Sequence, residues 1–414
     1  MKTFKRILLA IVLISFASNS ALANTYTWSG SGGNESWGNN NNWSPYGTPS
    51  SNWVVNGTTV SIADNRSTQT TGAIDLYDLN FINSNNVTKG TLSLYGNMRV
   101  RHYNRLATPS VVPSFNSFYS GNIDLRGFTL QVGADTAVDS TGYVSRFNAN
   151  VSSSIGNGKL VFSKQPGNGY LVVNGQIKSL YPHPTPSTIT IGQSDRRINI
   201  EYKGGNSYWG NVNIFGDFSI TGGSGAIQFG SAGNFTLNGN MSISNQNTTV
   251  YNGAAVSNVL STINGNVSIT AGALINGNAT RGIINGNISL TNATFINGWR
   301  TNANGQINGN INIGADTYFD NGSNGTGIIG SATEVRTITI TGGRLTNVPL
   351  GSNSRGIIYA NITQTGGHFF NGASNDQVDS ISAINAKILS SATTLSNISI
   401  INLMCPQNMY QLAC

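Results

Sequence analysis

Charge is scarce in this chain of 414 residues: 9% are Asp, Glu, Lys or Arg, and there are three histidines. Nucleic-acid binding needs a clustered basic patch or stripe. Here the longest basic run is Arg196-Arg197, and Lys2, Lys5 and Arg6 of the leader carry three of the seven net positive charges. No nucleic-acid partner is expected. Cysteine is limited to Cys405 and Cys414, and two thiols without a nearby His or third Cys cannot complete a tetrahedral zinc site. The chain also lacks a P-loop, a dinucleotide fingerprint and a G-x-S-x-G elbow, so no metal or cofactor is expected. Beyond the leader no apolar run approaches the roughly 20 residues that span a bilayer as a helix. A sustained 3.6-residue apolar period is missing too, which predicts almost no helix.

The leader itself has three parts. Lys2, Lys5 and Arg6 precede the apolar run from Ile7 to Phe16, and Ala21-Leu22-Ala23 supplies the small-x-small site before Asn24. Residues 1–23 read as a signal peptide, so the mature chain is expected to be exported to the periplasm, the outer surface or the medium, without a transmembrane segment. No Cys follows the cleavage region, which disfavours a lipid anchor. In an exported chain an even cysteine count favours a disulfide. A Cys405–Cys414 clasp over residues 405–414 would contribute roughly 3 kcal/mol if unstrained. Intermolecular pairing and a free thiol pair are the competing readings.

What the chain has in abundance is glycine, 50 residues of it, set among Asn, Ser and Thr and short alternating runs of Ile and Val. Low net charge together with β-branched residues argues against disorder and for β structure. One phrase recurs: Asn238-Gly239-Asn240-Met241-Ser242-Ile243, Asn264-Gly265-Asn266-Val267-Ser268-Ile269, Asn285-Gly286-Asn287-Ile288-Ser289-Leu290 and Asn308-Gly309-Asn310-Ile311-Asn312-Ile313. The copies begin 26, 21 and 23 residues apart. A second phrase, an Asn-Gly pair, runs out of phase at Asn252, Asn276, Asn297, Asn321 and Asn371. A shared period of this length marks a solenoid, whose units bury their apolar faces only by stacking.

Several expectations follow. Val212 and Ile214, Met241 and Ile243, Val267 and Ile269, Ile288 and Leu290, and Ile311 and Ile313 should share one inward face. Asn and Gly at the start of the phrase should form a corner, where both tolerate left-handed backbone. Asn238, Asn264, Asn285 and Asn308 should hydrogen-bond to one another along the axis. About eight coils fit residues 206–400, a rod of roughly 40 Å at about 4.8 Å per coil.

Earlier in the chain, strands are expected at 90–95, 122–125, 128–132, 159–162 and 188–191, and the proline-rich Tyr181 to Pro186 is expected to be a loop. Trp28, Trp37, Trp43 and Trp53 open the mature chain. Their rings suit a cap that shields the first coil, and the rival reading is a platform that stacks on sugars.

Trp28-x-Gly30, Trp37 and Asn42-Trp43-Ser44 resemble the opening found after the signal peptide in many bacterial autotransporter passengers and other cell-surface β-helix proteins. Gly156-Asn157-Gly158-Lys159-Leu160, followed by Gly167-Asn168-Gly169-Tyr170-Leu171-Val172-Val173-Asn174-Gly175, is similar to the passenger-associated repeat, although Phe162 and Tyr170 replace small residues and Gln165-Pro166 is inserted. The family's C-terminal membrane barrel of many alternating strands is not seen, so the resemblance covers the passenger only. It implies an all-β, right-handed parallel β-helix on the cell surface, with coils of 21–29 residues.

The resulting organisation is a signal peptide over 1–23, a Trp-rich cap over 24–62, irregular coils over 63–205, regular Asn-Gly coils over 206–404 and the cysteine loop over 405–414. The expected function is an adhesin-like binding or structural rod without catalytic activity. Its partners would be glycans or cell-surface proteins, or further copies of itself end to end. The alternative is a polysaccharide lyase or glycoside hydrolase, whose chemistry needs paired carboxylates. Asp316 and Asp320 are the best candidate for a catalytic pair, although two acids four apart near an Asn-Gly corner suit a turn better. His102, His183 and His368 are scattered without a partner spacing.

Overall fold

The structure is a computed structural model that describes residues 25–28, 37, 39–44, 59–62, 67–69, 74–76, 78–81, 91–100, 121–132, 144–147, 149–163, 170–174, 188–253, 259–348, 354–371, 381–384 and 388–390. The expected signal peptide over 1–23, Trp53, the expected loop over 181–186, His102, His183, Cys405 and Cys414 lie outside them.

The chain winds into a parallel β-solenoid with three faces. The first face is one ladder of thirteen parallel strands that runs from Ser67–Gln69 to Ile381–Ile384. From each of these strands the chain turns a corner onto a second face, for example Ile288–Leu290 and Ile311–Ile313, and then onto a third, for example Ala293–Asn297 and Tyr318–Asn321. Each strand pairs with the strand one coil before and one coil after, as in Ile288 with Val267 and with Ile311. Two long strands, Met241–Asn252 and Val267–Asn276, run from the second face onto the third, and their pairing shifts register at the bend between Ile243 and Thr249. The ladders continue across residue 206, since Ile198–Tyr202 pairs with both Gly158–Phe162 and Phe218–Ile220. The early strands fall where the alternation places them, at Thr91–Ser93, Gly121–Asp124, Thr129–Val132, Gly158–Phe162 and Ile189–Ile191.

Alternation decides what lies inside. Met241, Ile243, Val267, Ile269, Ile288, Leu290, Ile311 and Ile313 are all at most 1% exposed. Each such side chain contributes about 1.5–3 kcal/mol by leaving water. One expected alignment is corrected. Val212 and Ile214 are buried, but they lie on the first face opposite Phe235 and Leu237; the second-face partner of Met241 is Phe218. Short apolar-polar runs look alike on every face, so only the corners tell which face a run belongs to.

The N-G-N corner is explained atom by atom. Asn264 donates through Nδ2 to Asn238 Oδ1 at 2.9 Å, Asn285 to Asn264 at 2.7 Å and Asn308 to Asn285 at 2.8 Å, which is the expected ladder. The second asparagine of the phrase accepts from the backbone of the next coil, as in Asn287 N–H to Asn266 Oδ1 at 2.9 Å and Asn310 N–H to Asn287 Oδ1 at 2.9 Å. The glycine between them has a different role from the expected one. Gly239, Gly265, Gly286 and Gly309 do not adopt positive φ. A Cβ there would instead collide with the carbonyl of the corresponding glycine one coil earlier, Gly265 on Gly239 and Gly286 on Gly265. Close approach of stacked backbones, not left-handed geometry, demands glycine at this corner.

The second Asn-Gly phrase forms a buried ladder. Asn252, Asn276, Asn297, Asn321 and Asn347 are fully buried and Asn371 is 4% exposed. Nδ2-to-Oδ1 bonds join them in order at 2.7, 2.8, 2.8, 2.9 and 2.9 Å. The second amide proton of Asn276 and of Asn297 reaches the carbonyls of Gln306 and Ile328, so the amides are satisfied inside an apolar core, as burial requires. Space for them comes from Gly282, Gly305, Gly327 and Gly356 on the first face, where a Cβ would strike the ladder's own Oδ1 atoms. The glycines that follow, such as Gly298 (φ 79) and Gly322 (φ 81), do take left-handed backbone.

Toward the N-terminus the interior becomes aromatic: Phe162, Tyr202, Trp209, Phe218, Phe229 and Phe235 are buried together, with Phe229 and Phe235 stacked at 4.1 Å. At the opening, Trp28 and Trp37 each meet Trp43 edge-on at 4.9 and 4.6 Å, and Trp43 donates through Nε1 to the Trp37 carbonyl. All three rings are at most 3% exposed, so none offers a free face to a sugar. Thr25–Trp28 pairs in parallel with Thr59–Ile62, which pairs in parallel with Asp78–Phe81.

Candidate functional site

Most outward positions carry small neutral groups: Ser242, Ser268, Ser289, Asn312 and Thr339 form one such row on the second face. The third face differs. Its outward residues form two columns in register, Thr294–Tyr318–Arg344–His368 and Ile296–Asp320–Thr346–Phe370. The strand period of two places them there, because Phe319 and Asn321 between them point into the core.

These side chains engage one another within and across coils. Arg344 Nε donates to Thr346 Oγ1 at 2.7 Å, and its guanidinium lies 5.4 Å over the Phe370 ring. His368 stacks on the same ring at 6.0 Å. Tyr318 stands 60% exposed beside them. Asp320 is only partly exposed, and burial pushes its carboxyl pKa up, against the opposing pull of the Arg344 charge and a hydrogen bond with Thr346. Farther along the face, Trp299 reaches back to stack on Tyr251 at 6.2 Å, and Arg300 lies 5.4 Å from the Trp299 ring. Ile275 belongs to the same outward column as Tyr251 and Ile296, yet it is just 5% exposed.

Asp316 occupies the exposed corner before Tyr318–Asn321 with φ 52, whereas Asp320 lies within that strand and its carboxyl turns to Arg344 and Thr346 of the next coil. The residues around Asp320 thus come from the neighbouring coil rather than from its own corner. His368, isolated in the sequence, joins the group. Sequence reasoning misses Tyr318, Arg344, Thr346 and Phe370 altogether. Their signal is present in the interior ladder: the outward residues stand one and three positions before Asn297, Asn321, Asn347 and Asn371. Asn347 hides the pattern, because Val348 stands where the other rungs have glycine, and takes φ 61 there.

Chemically the strip offers a carboxyl group, a guanidinium, a hydroxyl and an imidazole next to flat rings. Among the described residues no cluster of three His, Cys, Asp or Glu forms a metal-binding set, and no helix is long and apolar enough to cross a membrane. Comparison with family models, with curated proteins and with solved structures returns no match. The class of the molecule therefore rests on its own geometry, that of a parallel β-solenoid held by two asparagine ladders, with a mixed aromatic and charged strip on its third face.

Proposed function

We propose that this protein is an exported, adhesin-like rod that binds glycan chains along the third face. The observation that carries this reading is Asp320, a carboxylate kept partly buried and energetically disfavoured on an outward position, between Arg344, Thr346 and the exposed Tyr318. Perturbed ionisable groups that cost stability concentrate at functional sites. Carboxylate and guanidinium can accept from and donate to vicinal hydroxyls, while aromatic faces suit the C–H surface of a pyranose. Repeating coils add avidity when a polymer lies along the axis. The signal peptide and the resemblance to autotransporter passengers support a cell-surface or released location, and the weak, dispersed charge speaks against nucleic acid. A cell-surface protein is the other partner class compatible with such a strip, and end-to-end assembly a further role for the rod.

The test is a glycan array probed with the full mature protein and with Tyr318→Ala and Asp320→Ala. Binding to a defined glycan class that both substitutions weaken is the expected result. Equal binding by all three proteins, or none by any, removes the reading.

One observation favours a second reading, a carbohydrate-active enzyme. A carboxyl group with an upward-shifted pKa is suited to general acid catalysis. Release of reducing or unsaturated ends from a bound polysaccharide, lost in Asp320→Asn, would replace the binding reading with that one.

A further inference from the structure

Two sets of Asn-Gly pairs share one local sequence in this solenoid but sit in opposite surroundings. In the corner ladder, Asn264 and Asn285 are exposed, and among the described residues none accepts a hydrogen bond from the amide nitrogen of Gly265 or Gly286. In the interior ladder, Asn276, Asn297 and Asn321 are fully buried. The nitrogen of the glycine after each ladder residue is held too: Gly277 N–H donates to the Asn252 carbonyl at 2.8 Å, Gly298 N–H to that of Asn276 at 2.7 Å and Gly322 N–H to that of Asn297 at 2.7 Å.

Asparagine followed by glycine carries an intrinsic reaction. The glycine backbone nitrogen, once it gives up its proton, attacks the side-chain Cγ and forms a new C–N bond. The Cγ–Nδ2 bond breaks, and ammonia leaves with the proton. Water then opens the five-membered imide at either carbonyl, giving aspartate or its β-linked isomer. The only co-reactant is water, and no electron transfer is involved. The step needs a free glycine nitrogen, access to solvent and freedom of the asparagine side chain. The corner provides the first two, and there the amide has only to exchange its exposed ladder bonds for water; the interior, where the same bonds are buried, provides none of the three.

We infer that Asn264 and Asn285 are sites of spontaneous deamidation in the folded protein, whereas Asn276, Asn297 and Asn321 are protected by the solenoid. The consequence is local and directional. Asn264 donates to Asn238 and accepts from Asn285, so an acid at 264 keeps its acceptor role toward Asn285 but turns an oxygen toward the Asn238 oxygen. Each event also adds one negative charge to a ladder whose rungs are neutral when synthesised. Reaction at both positions places two carboxylates on adjacent coils, and the corner becomes an acidic edge as the molecule ages. The interior ladder cannot follow unless the coil opens.

The experiment uses the full mature chain, held for several weeks in mildly alkaline buffer made with heavy-oxygen water, with a parallel sample in concentrated urea. Peptide mapping by mass spectrometry then locates each amide-to-acid conversion by its incorporated label. In the folded sample, conversion at Asn264 and Asn285 is expected about tenfold or more faster than at the interior sites, which react only through rare opening of the coil. In urea the two sets should converge. Equal rates in the folded sample, or conversion of the corner pair in urea alone, would overturn the inference. Isoelectric focusing of the folded sample gives an independent reading as a stepwise acidic shift.

Discussion

Asn276 and Asn297 lie 21 residues apart in the chain, yet the Nδ2 of the first donates to the Oδ1 of the second at 2.8 Å inside the core. The corner ladder runs the other way: Asn285 donates back to Asn264, from the later coil to the earlier. The two rows of amide dipoles thus oppose each other along the axis. Both rows fix coil-to-coil register, and they differ in what happens when a rung is lost.

Asn297→Leu should be costly. It leaves Nδ2 of Asn276 and Oδ1 of Asn321 without their ladder partners in a dry interior, at about 1–3 kcal/mol for each orphaned group. Asn285→Ala, in the exposed corner, should cost less than about 1 kcal/mol because water replaces the lost bonds. Urea denaturation of both variants measures the contrast, with similar slopes and a much lower midpoint for Asn297→Leu alone.

Gly286→Ala tests the close-approach argument. The glycine has ordinary backbone geometry, so alanine would be neutral or favourable on conformational grounds. Its Cβ would meet the Gly265 carbonyl and the backbone of Asn266, and overpacking of this kind costs about 1–3 kcal/mol. Thermal unfolding that shows no loss would overturn the close-approach explanation.

Val348→Gly should change stability little in spite of deleting a buried side chain. Valine at φ 61 is strained, a cost of about 1–3 kcal/mol, and this offsets the roughly 1.5–3 kcal/mol gained by burying it. The expected net effect is within about 1 kcal/mol. Leu345→Ala is the control: Leu345 is fully buried in the adjoining strand without positive φ, and its truncation should cost about 2–5 kcal/mol. Urea midpoints of the two variants check the contrast, and equal losses would show that the strain at Val348 is not relieved by glycine.

Asp320→Asn should raise the melting temperature at neutral pH. Burial places the folded-state pKa above the ordinary 3.8, so the native protein holds this proton more tightly than the unfolded chain. Ionisation therefore costs stability as pH rises from about 3.8 through the folded pKa, and the penalty persists above it. The asparagine variant escapes that penalty, and its advantage should vanish in acid. Paired melting curves across that range decide it, and loss of glycan binding in the same variant would show the stability being held back for function.

Glu201 behaves oppositely. Hydrogen bonds from Lys159 and then Lys203, at 2.6 and 2.9 Å, hold its carboxyl down to about 2. Its contribution is present above the unfolded value of 4.5 and is lost as pH falls toward 2. Because both lysine side chains are nearly half exposed, Glu201→Gln should cost less than about 1 kcal/mol at neutral pH, and less still in high salt. Melting curves at low and high ionic strength measure both effects.

The sequence by itself determined the solenoid, because a stacked repeat must restate its corner and its inward aliphatics in every coil. Asn238, Asn264, Asn285 and Asn308 could be matched by eye, and their hydrogen bonds stand where the period puts them. Three things were left to the tertiary structure. Whether a short run lies on the first or second face depends on the corners around it, as Val212 shows. The reason for the corner glycine is a carbonyl 21 to 26 residues away, which no local preference encodes. The Asp320 strip is assembled from outward residues of three successive coils whose lengths vary, so its members have no fixed spacing in the chain and meet only once the interior asparagines have set the register.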